Sequence, residues 1–329
     1  MTAVVGIRAW PRPVVLACAT LLVAGCYYAA GRLGLSQQLT ADGSVVTPIW
    51  PSSGLAVACL LLFGPWCVPG IALGALLVVV SLGAPGPEAM GIVAGNTAAP
   101  VCAWLMLRAV GFRVNLSRLR DGLALVFLGA LTAMLISSGT GVGMLLLSDK
   151  LPTDHLGIVW LAWWVGDAMG VVLVTPLLLL LYRARLPPLS ARWTEAVGLT
   201  VVVCVVVPLI MYSSISVLFL AYPLLIWAAL RFQLAGGIPC ALFASVTATV
   251  AARQEAGSFG RLTDIETMMK LQAFNGTLGL TALLLSAVIS EQLHTRRSVE
   301  RACHELVEAL QHLNAGGAGT PEPPGEGPR

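Results

Sequence analysis

Apolar runs recur along this chain from Val14 almost to Ser290, interrupted only by short stretches of proline, glycine and charge. A bilayer core is crossed by about 20 apolar residues in helical form, fewer where a segment is tilted or re-entrant. Ten segments fit that pattern: 14–34, 50–64, 69–83, 88–108, 121–147, 157–182, 194–213, 216–232, 235–252 and 269–291. The second and third are short enough to form a broken hairpin, so the sequence predicts an all-α, polytopic membrane bundle of about eight to ten transmembrane helices. Composition agrees: 57% of the 329 residues are apolar and 11% are charged, where soluble proteins carry about 25% charged residues.

Charge placement sets the expected orientation. With a cytoplasmic N-terminus (residues 1–13) and ten crossings, the inside loops receive Arg108, Arg113, Arg118 and Arg120, then Arg183, Arg185 and Arg192, then Arg231. Arg296, Arg297 and Arg301 follow the last span. The outside loops receive Lys150, Arg253, Arg261 and Lys270 among the acids Asp42, Glu88, Asp149, Asp154, Glu255, Asp264 and Glu266. Arginine and lysine concentrate in cytoplasmic loops, which places both termini in the cytoplasm. Near the start, "VAGC" ending at Cys26 imitates a lipoprotein signal. The run continues to Leu35, however, which gives a spanning segment instead of a cleaved one.

The eight cysteines fall mostly in apolar runs, with no C-x-x-C spacing and no histidine nearby. They are expected to act as small buried hydrophobes, and neither a metal nor a cofactor is expected. A net charge of +3 is too small to point to nucleic acid. No H-E-x-x-H, G-x-S-x-G or phosphate-binding loop is present, so a non-enzymatic role is expected.

Asp167, in "WWVGDAMGVVLVTP", is the sharpest polar feature. A carboxylate inside a span costs about 2.5 to 3.5 kcal/mol on insertion scales and ordinarily faces a bundle interior or a wet cavity. Trp163 precedes it by four residues and shares its helical face. Asn96 and Asn275, with Thr175, Ser137 and Ser138, are further polar groups at membrane depth, and convergence on Asp167 is one way to satisfy them. Helix glue is the alternative reading. Trp160 and Trp164 suit an interfacial aromatic belt. The G-x-x-x-G pairs Gly166/Gly170, Gly70/Gly74, Gly91/Gly95 and Gly139/Gly143 are expected to let helices pack closely. In "TPIWPSSGLA", Pro51 suits the first turn of a helix, with Ser53 and Gly54 near its exposed amides. Trp50 is then a candidate lid over a pocket formed with Trp163 and Asp167.

Beyond Ser290 the chain is charged and helix-forming, so residues 293–314 are expected to prolong the last span into the cytoplasm. Val299, Ala302, Leu306, Ala309 and Leu313 follow coiled-coil spacing, which allows a homodimer. Residues 315–329 are rich in glycine and proline and are expected to be disordered.

"IWPSSGLAVACLLLFG", "GNTAAPVCAWLMLR", "WWVGDAMGVVLVTPLLL", "YPLLIWAALRF" and "LQAFNGTLGLTALLLSAVISEQ" resemble, in that order, segments of the bacterial membrane-associated sensor domain of the first type, the MASE family. The resemblance covers about residues 14–292 and includes Gly95, Pro176, Trp227 and Arg231 within its motifs. A second proline is usual in that family where Ser52 stands, and a glycine where Gln233 stands. The resemblance implies an inner-membrane input module of the kind that precedes histidine kinases and cyclic di-GMP enzymes. No output domain is expected here, so the implied partners are the lipid bilayer and a separate cytoplasmic output protein or membrane partner. The alternative is a small-solute or proton-coupled transporter that uses Asp167.

Overall fold

The computed structural model describes residues 12–41, 44–83, 86–183 and 193–317, with side chains for 14–38, 47–83, 86–183 and 193–308. The expectations for residues 1–11, Asp42, Arg185, Arg192 and the tail from 318 lie outside the described residues.

Each of the ten apolar segments is helical. The helices are α1 (Arg12–Ser36), α2 (Pro51–Phe63), α3 (Val68–Ser81), α4 (Glu88–Ala109), α5 (Leu119–Ala124), α6 (Met134–Leu147), α7 (Leu156–Met169), α8 (Thr175–Arg183), α9 (Trp193–Met211), α10 (Ala221–Phe232), α11 (Leu234–Arg253) and α12 (Asp264–Gly317). Wider π-helical turns join α5 to α6 (Leu125–Thr132) and α7 to α8 (Gly170–Val174), so each pair makes one continuous crossing. Among the described residues, seven helices are long and apolar enough to span a membrane, while Pro51–Phe63, Pro65–Ser81 and Leu218–Phe232 are shorter apolar helices. The chain is a multi-pass membrane protein. A small antiparallel hairpin departs from the all-helical expectation: β1 (Leu39–Ala41) pairs with β2 (Ser44–Val46) in the link between α1 and α2.

Helices α1 to α3 pack around their own core of Tyr27, Ala56, Leu60, Ile71, Ala75 and Val78. The remaining spans share a larger core that runs through Leu107, Met134, Leu173, Leu225 and Leu283. Close packing uses most of the glycine pairs, but not all. A Cβ on Gly70 or Gly74 would strike α1 at Thr20, Val23, Ala24 and Tyr27, and one on Gly91 or Gly95 would strike Met144 or Thr140 of α6. A Cβ on Gly139 or Gly143 would meet nothing within 4 Å among the described residues, so their spacing serves no close packing there.

The cysteines correct the sequence reading. Only Cys67 and Cys240 are buried; Cys18, Cys26, Cys204 and Cys303 are exposed. A lipid-facing position is as apolar as a core, so the first three satisfy the hydrophobic pattern from outside the bundle.

Helix α12 leaves the bundle without a break. Its 54 residues extend roughly 80 Å at about 1.5 Å per residue, against about 30 Å of hydrocarbon. Beyond Ser290 its described side chains, Val299 and Leu306 included, are exposed except for half-buried Leu293, and it stays helical past the expected end at Asn314. The side chains of Ala309 and Leu313 lie outside the described residues.

Candidate functional site

The link between the hairpin and α2 docks directly onto α7. Trp50 is extended (φ −107°, ψ 90°), and Pro51 opens α2, where its missing N–H costs no helical bond. The Trp50 N–H donates to the Gly166 carbonyl at 2.9 Å. Two glycines of α2 and the α7 end meet backbone to backbone: a Cβ on Gly54 would collide with the Gly170 carbonyl, and one on Gly170 with the Trp50 carbonyl. The Thr175 hydroxyl closes the contact by donating to the Gly54 carbonyl at 2.9 Å.

This approach delivers Ser53 to Asp167. The Ser53 hydroxyl donates to Asp167 Oδ1 at 2.5 Å, and both residues are buried. Asp167 Oδ2 has no hydrogen-bond partner among the described residues. The helix is loosened just beyond the carboxylate. Pro176 supplies no N–H and its ring would clash one turn back, and the preceding π turn at Gly170–Val174 relieves that clash.

Above Asp167 lies a cavity of about 400 Å³, walled by Trp50, Trp163, Leu35, Leu82 and Val159 with Thr47 at its edge. Asp167 forms its floor but is fully shielded from solvent. Among the described residues no lysine or arginine lines it. A second cavity of about 310 Å³ shares Trp50, Leu82 and Trp163 with the first and reaches Asn96 and the ion pair of Glu88 with Lys150, whose N–O distance is 2.5 Å. The two indoles therefore stand between the chambers.

Of the predicted site residues, the structure brings Trp50, Trp163, Ser53, Gly54, Gly166, Gly170 and Asp167 together. Asn96 joins indirectly: Trp163 Nε1–H donates to Ser137 Oγ at 3.3 Å, and the Ser137 hydroxyl donates to Asn96 Oδ1 at 2.7 Å. The two asparagines do not converge on Asp167. Asn275 is buried on α12 with neither amide atom partnered among the described residues. Trp227 is an exposed side chain of α10. Arg231 grips Glu195 of α9 through Nε and Nη2, a bidentate pair between two helices. Gly95 packs α4 against α6.

Trp164 also departs from its expected belt role. Its Nε1–H donates to the Leu131 carbonyl at 2.8 Å, inside the π turn between α5 and α6, while its ring stacks on Trp160 at 5.7 Å. A π turn leaves carbonyls out of the regular ladder, and the indole uses one of them.

Sequence reasoning missed Tyr27. It is buried in the cluster that Trp50 packs against, its hydroxyl has no partner among the described residues, and its carbonyl accepts the Ser52 hydroxyl at 3.0 Å. Only helical phase separates it from the neighbouring Tyr28, and α1 is apolar on every face, so the sequence carried no signal for which tyrosine turns inward.

The family model for MASE1, the membrane-associated sensor domain, matches residues 19–293. The chain belongs to the MASE1 family. Its match takes in every residue of the Asp167 site and the bundle from the middle of α1 onward, and it ends where α12 emerges. A MASE1 domain is a sensor module and not a catalytic one. No curated protein and no solved structure matched the chain.

Proposed function

We propose that this MASE1 protein is a bacterial inner-membrane sensory protein that perceives a stimulus at the two-tryptophan cavity over Asp167 and relays it through α12 to a separate partner. One observation carries the reading: the helix that leaves the bundle also packs against the helix that bears Asp167. Met268 of α12 meets Ala162 of α7, and Gly279 of α12 sits against Val172 and Leu173 in the π turn just past the carboxylate. A change at Asp167 reaches α12 through these neighbouring contacts of α7 and the π turn, and α12 is the continuous element able to carry it out of the membrane. The arginine bias of the loops supports a cytoplasmic direction for that helix.

A photoreactive residue at exposed Leu306, introduced into the full chain in cells, tests the relay. The expected result is a crosslinked species whose yield changes on Asp167→Asn at equal expression and insertion; an unchanged yield contradicts the relay. Asp167-dependent solute uptake into proteoliposomes would instead mark a transporter, a reading that the loosened helix next to a buried acid also fits.

A further inference from the structure

A separate pocket opens at the other end of the bundle, where α12 emerges. It encloses about 300 Å³ between α12, the loop before α5 and the corner joining α10 to α11, and is lined by Ser117, Gln233, Ser290, His294, Arg297 and Arg301. We propose that this pocket binds a phosphate-bearing anion and thereby ties α12 to the α5 loop and the α10–α11 corner.

Three features point to an oxyanion. First, Arg297 and Arg301 stand one turn apart on the same face of α12, and neither enters an ion pair among the described residues. Arginine presents a planar fork of donors that fits phosphate in bidentate fashion. Second, no carboxylate lines the pocket among the described residues. The acids that flank it along α12 are engaged elsewhere: Glu291 accepts the Leu119 N–H at 2.9 Å, and Glu300 pairs with Arg296 at 2.9 Å. Third, the remaining walls bring the hydroxyls of Ser117 and Ser290 and the Gln233 amide, neutral donors of the kind that complete a phosphate shell. A merely solvated charge run would not be concave or lined from three segments of chain.

The position fits a phosphate source at the membrane surface. The apolar part of α12 ends near Ser290, so the arginines sit where hydrocarbon gives way to water. Basic pockets between helices at that level take up anionic headgroups, each arginine contributing about fivefold in affinity. Soluble phosphate carries the same chemistry, so the test has two arms.

The full chain is purified in a non-ionic detergent as wild type, Arg297→Gln, Arg301→Gln and, as control, Arg296→Gln, whose partner is Glu300 on exposed α12 surface. In the first arm native mass spectrometry measures retained phosphatidylglycerol against phosphatidylcholine. In the second, thermal unfolding is followed with inorganic phosphate against chloride at equal ionic strength. A headgroup site loses phosphatidylglycerol about fivefold in each pocket variant and not in the control. A soluble-anion site shows instead a phosphate-induced rise in Tm that the pocket variants lack and the control keeps. The proposal is overturned if the pocket variants match the control in both arms. All three substituted side chains are exposed, so loss of fold does not confuse the outcome.

Discussion

The backbone N–H of Trp50 donates to the carbonyl of Gly166, 2.9 Å away, across 116 positions of sequence. That carbonyl already accepts the Gly170 N–H, so its second lone pair holds the entrance of α2 against the end of α7. Such an approach of two backbones requires that neither carries a side chain at the crossing, which is why Gly54 and Gly170 face each other.

Gly54→Ala and Gly170→Ala each force a methyl against a carbonyl and are expected to destabilise the protein by about 1 to 3 kcal/mol or more. Gly139→Ala and Gly143→Ala enter open space and are expected to leave stability unchanged or slightly raised. Thermal unfolding of the four variants in one detergent checks the contrast, and equal losses at all four positions would refute it.

The Ser53–Asp167 hydrogen bond predicts coupling between the two residues. Ser53→Ala removes the 2.5 Å bond to the buried carboxyl, whose Oδ2 already lacks a partner among the described residues, a loss of about 1.5 to 3 kcal/mol for a bond to a charged group. Combined with Asp167→Asn, the two changes are expected to cost less than their sum. A double-mutant cycle by chemical or thermal unfolding measures this, and strict additivity would mean that the bond contributes nothing.

Gln233 joins α10 to α11 with φ 49° and ψ −131°, a conformation that only glycine adopts without strain. Gln233→Gly is therefore expected to raise stability by about 1 kcal/mol, read as a higher Tm, whereas Gln233→Val is expected to lower it.

The apolar helices were legible because apolar runs of helical length have few other uses; nine of the ten segments emerge within a few residues of their expected bounds, and the last continues as α12 to Gly317. Asp167 was legible for a related reason: one acid in a long apolar run stands out, whatever surrounds it. The partners of that acid were less so. Ser53 lies 114 positions away and reaches Asp167 only because Gly54, Gly166 and Gly170 permit backbone contact, which is a tertiary fact. Asn275 and Trp164 show the limit from the other side. Their residue types suggested a shared site and an interfacial belt, but the first is buried without a partner among the described residues and the second donates to a carbonyl in a π turn. Neither π turn has a periodicity signature in sequence, although Pro176 marks the end of one.

The relay from Asp167 to α12 is the central claim, and hydrogen–deuterium exchange on the full chain in nanodiscs tests it most directly. Peptides covering residues 291–308 report the helix beyond the membrane, far from the substituted carboxylate. Asp167→Asn is predicted to change their exchange rate by at least roughly fivefold, the lower end of ordinary coupling between sites, while Gly139→Ala leaves it at the wild-type value. Identical exchange in Asp167→Asn and wild type, with the bundle itself intact, would contradict the account.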